Sequence, residues 1–133
     1  MKPLFADTFY FLALLDEHDP AHERAVAVSK DRNQAFVTTE FVLLELADAL
    51  NKPPQREELK AVRSLIQAMP AFRVVEASSE LLRRGERLYH ERPDKEWQLT
   101  DCISFVVMAD EHLTEALTGD RHFQQAGFNA LLK

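Results

Sequence analysis

Four acidic residues of this chain stand where structural roles explain them only in part, and they belong to four separate predicted elements. They are Asp7, Glu45, Asp101 and Asp120. If these carboxylates converge, their mutual repulsion is large, and cations must occupy the site for the fold to tolerate it. Oxygen ligands of this kind suit hard divalent cations. The first chemistry that the sequence indicates is therefore the binding of divalent metal ions.

Glu45 and Asp101 carry most of this argument because both stand beside strongly apolar sequence. Glu45 lies in a predicted helix over 40–50 that is apolar on almost every side, which predicts a helix buried all round. A carboxylate there is costly unless it is paired, protonated or bound to metal. The alternatives are a strip shared with Asp48 that reaches solvent, or a buried arginine partner. Asp101 precedes the apolar run 103–109. The alternative there is that an acid in the first turn of a helix only stabilises that helix through its dipole.

Asp7 and Asp120 each follow a predicted strand. Asp7 comes directly after the strand 2–6, and Asp120 comes shortly after the strand 116–118. In open parallel sheets, ligands bind beyond the carboxyl ends of the strands. Each residue also has an ordinary alternative, since aspartate is common in turns and at helix starts.

The elements that must position these acids alternate between strands and helices. Such alternation favours an α/β domain of three layers, with a parallel sheet covered on both faces. Thr8, Asp19, Thr38 or Thr39, Ser78 and Thr100 are the predicted helix starts. The strands are predicted at 2–6, 35–38, 72–76, 116–118 and 128–131, and the helices at 9–15, 21–30, 40–50, 56–69, 78–92 and 103–111. We expect residues 1–133 to form one domain.

The charge balance limits the partners that this chain can hold by general attraction. There are 16 lysines and arginines against 22 aspartates and glutamates, a net charge of −6, to which the four acids contribute most of the excess. Proteins that bind nucleic acid non-specifically are usually basic, so any nucleic acid must be engaged locally or through bound cations. The single cysteine, Cys102, predicts a core residue in a reducing compartment, and no export signal opens the chain, so we expect a cytoplasmic protein.

Four stretches of the sequence resemble, in order, the motifs of the PIN-domain ribonucleases, and in particular those of the VapC-type toxins of type II toxin–antitoxin systems. The resemblance covers almost the whole chain, and Cys102 departs from it where the family more often has a small residue. The stretches are Leu4-Phe5-Ala6-Asp7-Thr8, Thr38-Thr39-Glu40-Phe41-Val42-Leu43-Leu44-Glu45-Leu46, Leu99-Thr100-Asp101-Cys102-Ile103-Ser104-Phe105 and Leu117-Thr118-Gly119-Asp120-Arg121-His122-Phe123.

This resemblance implies a three-layer α/β/α PIN-like fold and a metal-dependent endoribonuclease that hydrolyses RNA phosphodiester bonds. It implies that one or two Mg²⁺ or Mn²⁺ ions are held by catalytic carboxylates, namely those of Asp7, Glu45, Asp101 and Asp120. Thr8 and Thr118 are expected to orient these ligands or the phosphate, and Arg121 is expected to meet substrate. The implied protein is a toxin restrained by a small antitoxin and forms a homodimer, for which the helices 40–50 and 56–69 are the expected surface.

Other interpretations of the sequence stay open. A catalytically inactive PIN-like domain could serve as a binding or scaffold module, although a scaffold has no reason to tolerate four repelling acids. The arginines at 83, 84 and 87 indicate a solvated helix face, or alternatively an RNA groove or an antitoxin contact. His112 and His122 lack partners at ligand spacing, and His18 and His22 are expected on an exposed loop.

Overall fold

A five-stranded parallel sheet forms the centre of the computed structural model, which describes residues 2–133. The strand order is β3-β2-β1-β4-β5, and each neighbouring pair is parallel. The strands are β1 Leu4–Ala6, β2 Phe36–Thr39, β3 Phe72–Val75, β4 Glu115–Leu117 and β5 Asn129–Ala130. The predicted parallel sheet is confirmed.

Helices flank this sheet on both faces and complete three α/β/α layers, as predicted. A short 3-10 turn at Pro53–Gln55 leads into the fourth helix. The helices are α1 Thr8–Leu15, α2 His22–Ser29, α3 Glu40–Ala49, α4 Arg56–Ala68, α5 Ser79–Glu91, α6 Leu99–Asp110 and α7 Arg121–Gln125. In the described part of the chain, none of them combines the length and apolarity that a membrane crossing requires.

Hydroxyl caps start two of the helices as the sequence predicts. The Oγ1 of Thr39 accepts a hydrogen bond from the backbone N–H of Val42 at 3.0 Å, and the Oγ of Ser78 caps α5 in the same way. The predicted caps at Thr8 and Thr100 are wrong. Helix α1 begins at Thr8 itself, after Asp7, and the N-cap of α6 is Gln98, two residues before Thr100, in a capping box with Asp101.

The core lies on both faces of the central strands. Phe5 in β1 and Phe36 in β2 are fully buried, as expected for parallel strands covered on both sides. The ring of Phe36 stacks on Phe72 with 5.0 Å between centroids and on Tyr10 with 6.1 Å. These contacts join α1 to the neighbouring strands β2 and β3.

Helix α3 is not buried all round, contrary to the prediction. Val42, Leu43 and Leu46 face the core, whereas Leu44 is 60% exposed and Asp48 is exposed. The reason is that α3 packs against the rest of the protein along one side only. Some of its apolar residues therefore face solvent. An apolar sequence alone does not show whether a second element covers that side.

Candidate metal centre

The four predicted acids all lie at the carboxyl edge of the sheet. Asp7 directly follows β1, and Asp120 stands between β4 and α7 as the N-cap of that helix. Strands β1 and β4 are neighbours, with Ala6 opposite Leu117, so these two acids emerge side by side. Helices α3 and α6 begin at the same edge and carry Glu45 and Asp101.

Thr118 joins Asp7 to Asp120. Its Oγ1 donates a hydrogen bond to Oδ2 of Asp7 at 2.8 Å and accepts one from the backbone N–H of Asp120 at 3.1 Å. The threonine is fully buried, so no water replaces either bond. The hydroxyl therefore fixes the Asp7 carboxylate and the turn that carries Asp120 relative to each other.

Thr8 performs a similar task for Glu45. The Oγ1 of Thr8 donates a hydrogen bond to Oε1 of Glu45, which joins the start of α1 to the middle of α3. Thr8 is buried and Glu45 is half-buried. The Thr8 hydroxyl thus holds a carboxylate from another helix instead of capping its own.

Asp101 and Asp120 meet at His122. Oδ2 of Asp101 lies 3.1 Å from Nδ1 of His122, and it also accepts a hydrogen bond from the backbone N–H of Gln98 at 3.2 Å. Oδ1 of Asp120 accepts from the backbone N–H of His122 at 2.9 Å and lies 3.4 Å from its Nδ1. One potential ligand atom from each of the three residues falls within 4.8 Å of the others.

The sequence interpretation missed His122, for which no partner was expected. Its partner Asp101 stands 21 residues earlier, on another helix. The available signal was local: the segment Asp120-Arg121-His122 forms the first turn of α7, where the side chain of Asp120 turns back to the backbone of His122. An N-cap at Asp120 brings residue His122 close to the Asp120 carboxylate.

The pKa values show that the acids act on one another. The pKa of Asp7 is raised to about 7, mainly by burial and in smaller part by the charges of Asp101 and Glu45, while the hydrogen bond from Thr118 opposes the rise. Burial also raises the pKa of Asp101, to which the charge of Asp120 contributes, while His122 opposes it. The charges therefore form a connected group that runs from Glu45 through Asp7 and Asp101 to Asp120.

The donor set fits a hard divalent cation. Within residues 2–133, no lysine or arginine forms an ion pair with any of the four acids, which removes the buried arginine considered for Glu45. Glu45, Asp101 and Asp120 each use one carboxylate oxygen for protein donors, and the second oxygen receives none from the described residues. Partly desolvated carboxylate oxygens that have no lysine or arginine partner suit Mg²⁺ or Mn²⁺.

The other residues singled out in the sequence lie around this centre or away from it. Arg121 is exposed, and its guanidinium lies 3.6 Å from the carboxylate of Glu96. Arg84 pairs with Asp110 through two hydrogen bonds at 2.6 and 2.8 Å, which explains part of the α5 basic cluster structurally. Cys102 is fully buried beside Asp101, and burial raises its pKa to about 11, in keeping with the predicted core role.

Comparisons with known proteins agree with this architecture. The model of the PIN domain family matches residues 4–129. The fold is similar to that of VapC20 from Mycobacterium tuberculosis, described as a sarcin-ricin loop cleaving toxin, with a TM-score of 0.82, 24% identity, and coverage of 94% of this chain and 95% of that one. It is also similar to VapBC2 from Rickettsia felis bound to a promoter DNA fragment, with a TM-score of 0.66, 14% identity and 96% coverage of both chains. No curated protein sequence matches.

Proposed function

Because this chain belongs to the PIN-domain family, we propose that it is a divalent-metal-dependent endoribonuclease that acts as the toxin of a toxin–antitoxin pair. One observation carries the proposal: four carboxylates from different elements lie near the carboxyl edge of the sheet, close enough for their charges to act on one another, and none of them forms an ion pair with a lysine or arginine among the described residues. A domain that only binds or scaffolds gains nothing from such repulsion. The similarity to an RNA-cleaving toxin supports the choice of substrate.

The residues that would hold Mg²⁺ or Mn²⁺ are Asp7, Glu45, Asp101 and Asp120, and they are also the proposed catalytic residues. When bound, such an ion supplies an activated water molecule and stabilises negative charge on the phosphate. Thr8 and Thr118 fix the orientation of two of these carboxylates through their hydroxyl groups. In-line hydrolysis of a phosphodiester bond then needs no histidine, serine or cysteine nucleophile.

Arg121 is the proposed contact for a substrate phosphate. It adjoins Asp120, its side chain is 68% exposed, and its only ion pair among the described residues is the long contact with Glu96. Exposed pairs of this kind contribute little, on the order of 0–1 kcal/mol. The guanidinium can therefore exchange Glu96 for the phosphate of an RNA strand entering the site.

The partners that we propose are a small antitoxin and a second copy of this chain. The similarity to VapBC2 supports the antitoxin.

The exposed Leu44 on α3 supports a homodimer through α3 and α4, since a large apolar side chain in water is typical of contact surfaces. Sedimentation measures the oligomeric state of the Leu44→Glu variant and of Lys30→Glu, an exposed control. Leu44→Glu should be a monomer and Lys30→Glu should remain a dimer. The same oligomeric state in both variants would contradict the proposed dimer surface.

We also propose that residues 1–133 form one domain and that the protein is cytoplasmic.

The test of the enzyme is RNA cleavage with Mn²⁺ by the wild type and Asp101→Asn. Loss of one ligand should reduce cleavage by about 100-fold or more, because charge stabilisation in the site is worth several kcal/mol. Asp48→Asn, at an exposed position on α3, is the matched control and should cleave normally. Equal cleavage by wild type and Asp101→Asn would contradict the proposal. A wild type that binds Mn²⁺ but cleaves no RNA would favour the inactive binding module.

The toxin role has a separate test in cells. Expression of the chain should arrest growth, and co-expression of an adjacent small open reading frame should relieve the arrest. Asp101→Asn should not arrest growth at equal protein level, because the arrest depends on cleavage. Normal growth on expression of the wild type without any partner would count against the toxin role, while leaving the nuclease assignment to the cleavage assay.

A further inference from the structure

His122 is the side chain that contacts two acids of the metal centre at once. Its Nδ1 lies 3.1 Å from Oδ2 of Asp101 on α6 and 3.4 Å from Oδ1 of Asp120 at the start of α7. The His122 side chain is only 17% exposed, so these contacts are largely shielded from water. The imidazole therefore lies between two ligands that belong to different helices.

The chemistry of the partners sets the direction of these contacts. Ionised carboxylates only accept hydrogen bonds, so an imidazole Nδ1 facing two of them carries its proton and donates. The backbone N–H of the same residue donates to Oδ1 of Asp120 at 2.9 Å. One residue thus holds Asp120 through its main chain and reaches Asp101 through its side chain.

These bonds determine which oxygens remain for a cation. Oδ2 of Asp101 and Oδ1 of Asp120 face His122, whereas Oδ1 of Asp101 and Oδ2 of Asp120 receive no donor from the described residues. Without a donor between them, the two carboxylates would repel each other and turn apart. The imidazole offsets that repulsion and leaves one oxygen on each acid for metal.

We propose that His122 is a positioning residue that holds the carboxylates of Asp101 and Asp120 together in the orientation that binds a divalent cation. This inference rests on the metal-dependent function proposed above. It assigns to His122 a hydrogen-bonding role through Nδ1 and not direct coordination of the metal. In metalloproteins, residues that orient metal ligands in this way commonly contribute a factor of about 10 to 100 to the affinity for the metal.

The two nitrogens of histidine can be tested separately with amide side chains. The amide nitrogen of asparagine occupies the place of Nδ1, whereas that of glutamine occupies the place of Nε2. His122→Asn therefore keeps a donor towards both acids, while His122→Gln and His122→Ala remove it. None of the three substitutions changes a proposed metal ligand.

The experiment is a calorimetric titration of the full chain with Mn²⁺ and, separately, with Mg²⁺. We expect His122→Gln and His122→Ala to bind Mn²⁺ about 10-fold or more weakly than the wild type, and His122→Asn to bind within about threefold. Circular dichroism shows which variants are folded, and either donor-less variant suffices if the other unfolds.

Two results would overturn the role of His122. The first is wild-type affinity in both donor-less variants. The second is an equal loss in His122→Asn together with a selective loss of Mn²⁺ over Mg²⁺, which is the behaviour of a nitrogen ligand. A wild-type chain that binds neither ion would instead reject the metal centre itself, which separates failure of this inference from failure of the proposed function.

Discussion

The carboxyl group of Asp7 shows how burial and a shared site change the chemistry of one side chain. Asp7 is only 6% exposed at the end of β1, and its pKa rises from 3.8 to about 7, first through burial and then through the charges of Asp101 and Glu45. An isolated aspartate of this kind would destabilise the fold at neutral pH. The cation that we propose for this site would remove that cost, and metal binding and folding would then be coupled at this residue.

The metal-free protein should therefore lose stability as pH rises. The folded pKa of Asp7 is above the unfolded value, so the folded chain holds a proton between about pH 4 and pH 7 that the unfolded chain has released. Asp7→Asn removes this charge, and it should raise the free energy of unfolding by about 1–3 kcal/mol near pH 8, with little gain near pH 4. Urea denaturation with a chelator present, across this pH range, measures the difference.

The exposed Asp48 supplies the control for that experiment. Asp48→Asn removes a charge of the same type from the solvent side of α3, and its effect should be small and nearly independent of pH. If Asp7→Asn were less stable than the wild type near pH 8, the ionised carboxylate of Asp7 would be stabilising the metal-free fold, and the proposed cost of burying its charge would be wrong.

The Thr118 hydroxyl should be essential to the stability of the site. Thr118→Val keeps the shape of the side chain but removes the donor to Asp7 and the acceptor for the backbone N–H of Asp120. Leaving buried polar groups unpaired should cost about 1–3 kcal/mol, measured as a lower midpoint in thermal or urea unfolding. Thr118→Ser retains the hydroxyl and should recover most of the loss; an equal loss in both variants would point to methyl packing instead.

At the scale of elements, the close approach of α5 and α6 supports the helix that carries Asp101. Gly85 of α5 faces Ile103 of α6, and a Cβ atom at Gly85 would overlap the Ile103 side chain and press on its backbone. The start of α6 is held independently by the capping box between Gln98 and Asp101. The position of Asp101 therefore depends on both helix packing and its own cap.

Gly85→Ala should destabilise the fold even though alanine favours helices. The added methyl group must displace α6, and overpacking of this kind costs about 1–3 kcal/mol. Thermal unfolding measures the loss, and Mn²⁺ affinity should fall as well, because Asp101 moves with α6. Arg83→Ala, exposed on the same helix, is the control and should change little. A Gly85→Ala variant as stable as the wild type would show that the two helices can separate freely.

At the scale of the whole molecule, the excess of negative charge means that the proposed metal binding should stabilise the fold. The chain carries a net charge of −6, and the four acids of the metal centre lie at one edge of the sheet. A ligand that binds only the folded state stabilises it by mass action. The melting temperature thus reports on the centre without any need for an RNA substrate.

Mn²⁺ should raise the melting temperature of the wild type. At an ion concentration of about 100 times the dissociation constant, the stabilisation is about 2.7 kcal/mol, which corresponds to several degrees for a domain of this size. A chelator should reverse the shift, and sodium chloride of equal ionic strength should not reproduce it. Asp101→Asn should show a much smaller shift; an equal shift would place the ion elsewhere on the chain.

The sequence determined by itself those features that depend on neighbouring residues. Alternating apolar segments predicted the sheet and most helix bounds within a few residues, and local hydrogen bonding predicted the caps at Thr39 and Ser78. Glu45 and Asp101 were identifiable because carboxylates beside apolar runs are costly, and Asp7 and Asp120 because each follows a predicted strand. Only the tertiary structure decided their partners: Thr8 with Glu45 and His122 with Asp101 join residues far apart in the chain. Such contacts depend on how whole elements pack, and no local pattern encodes that.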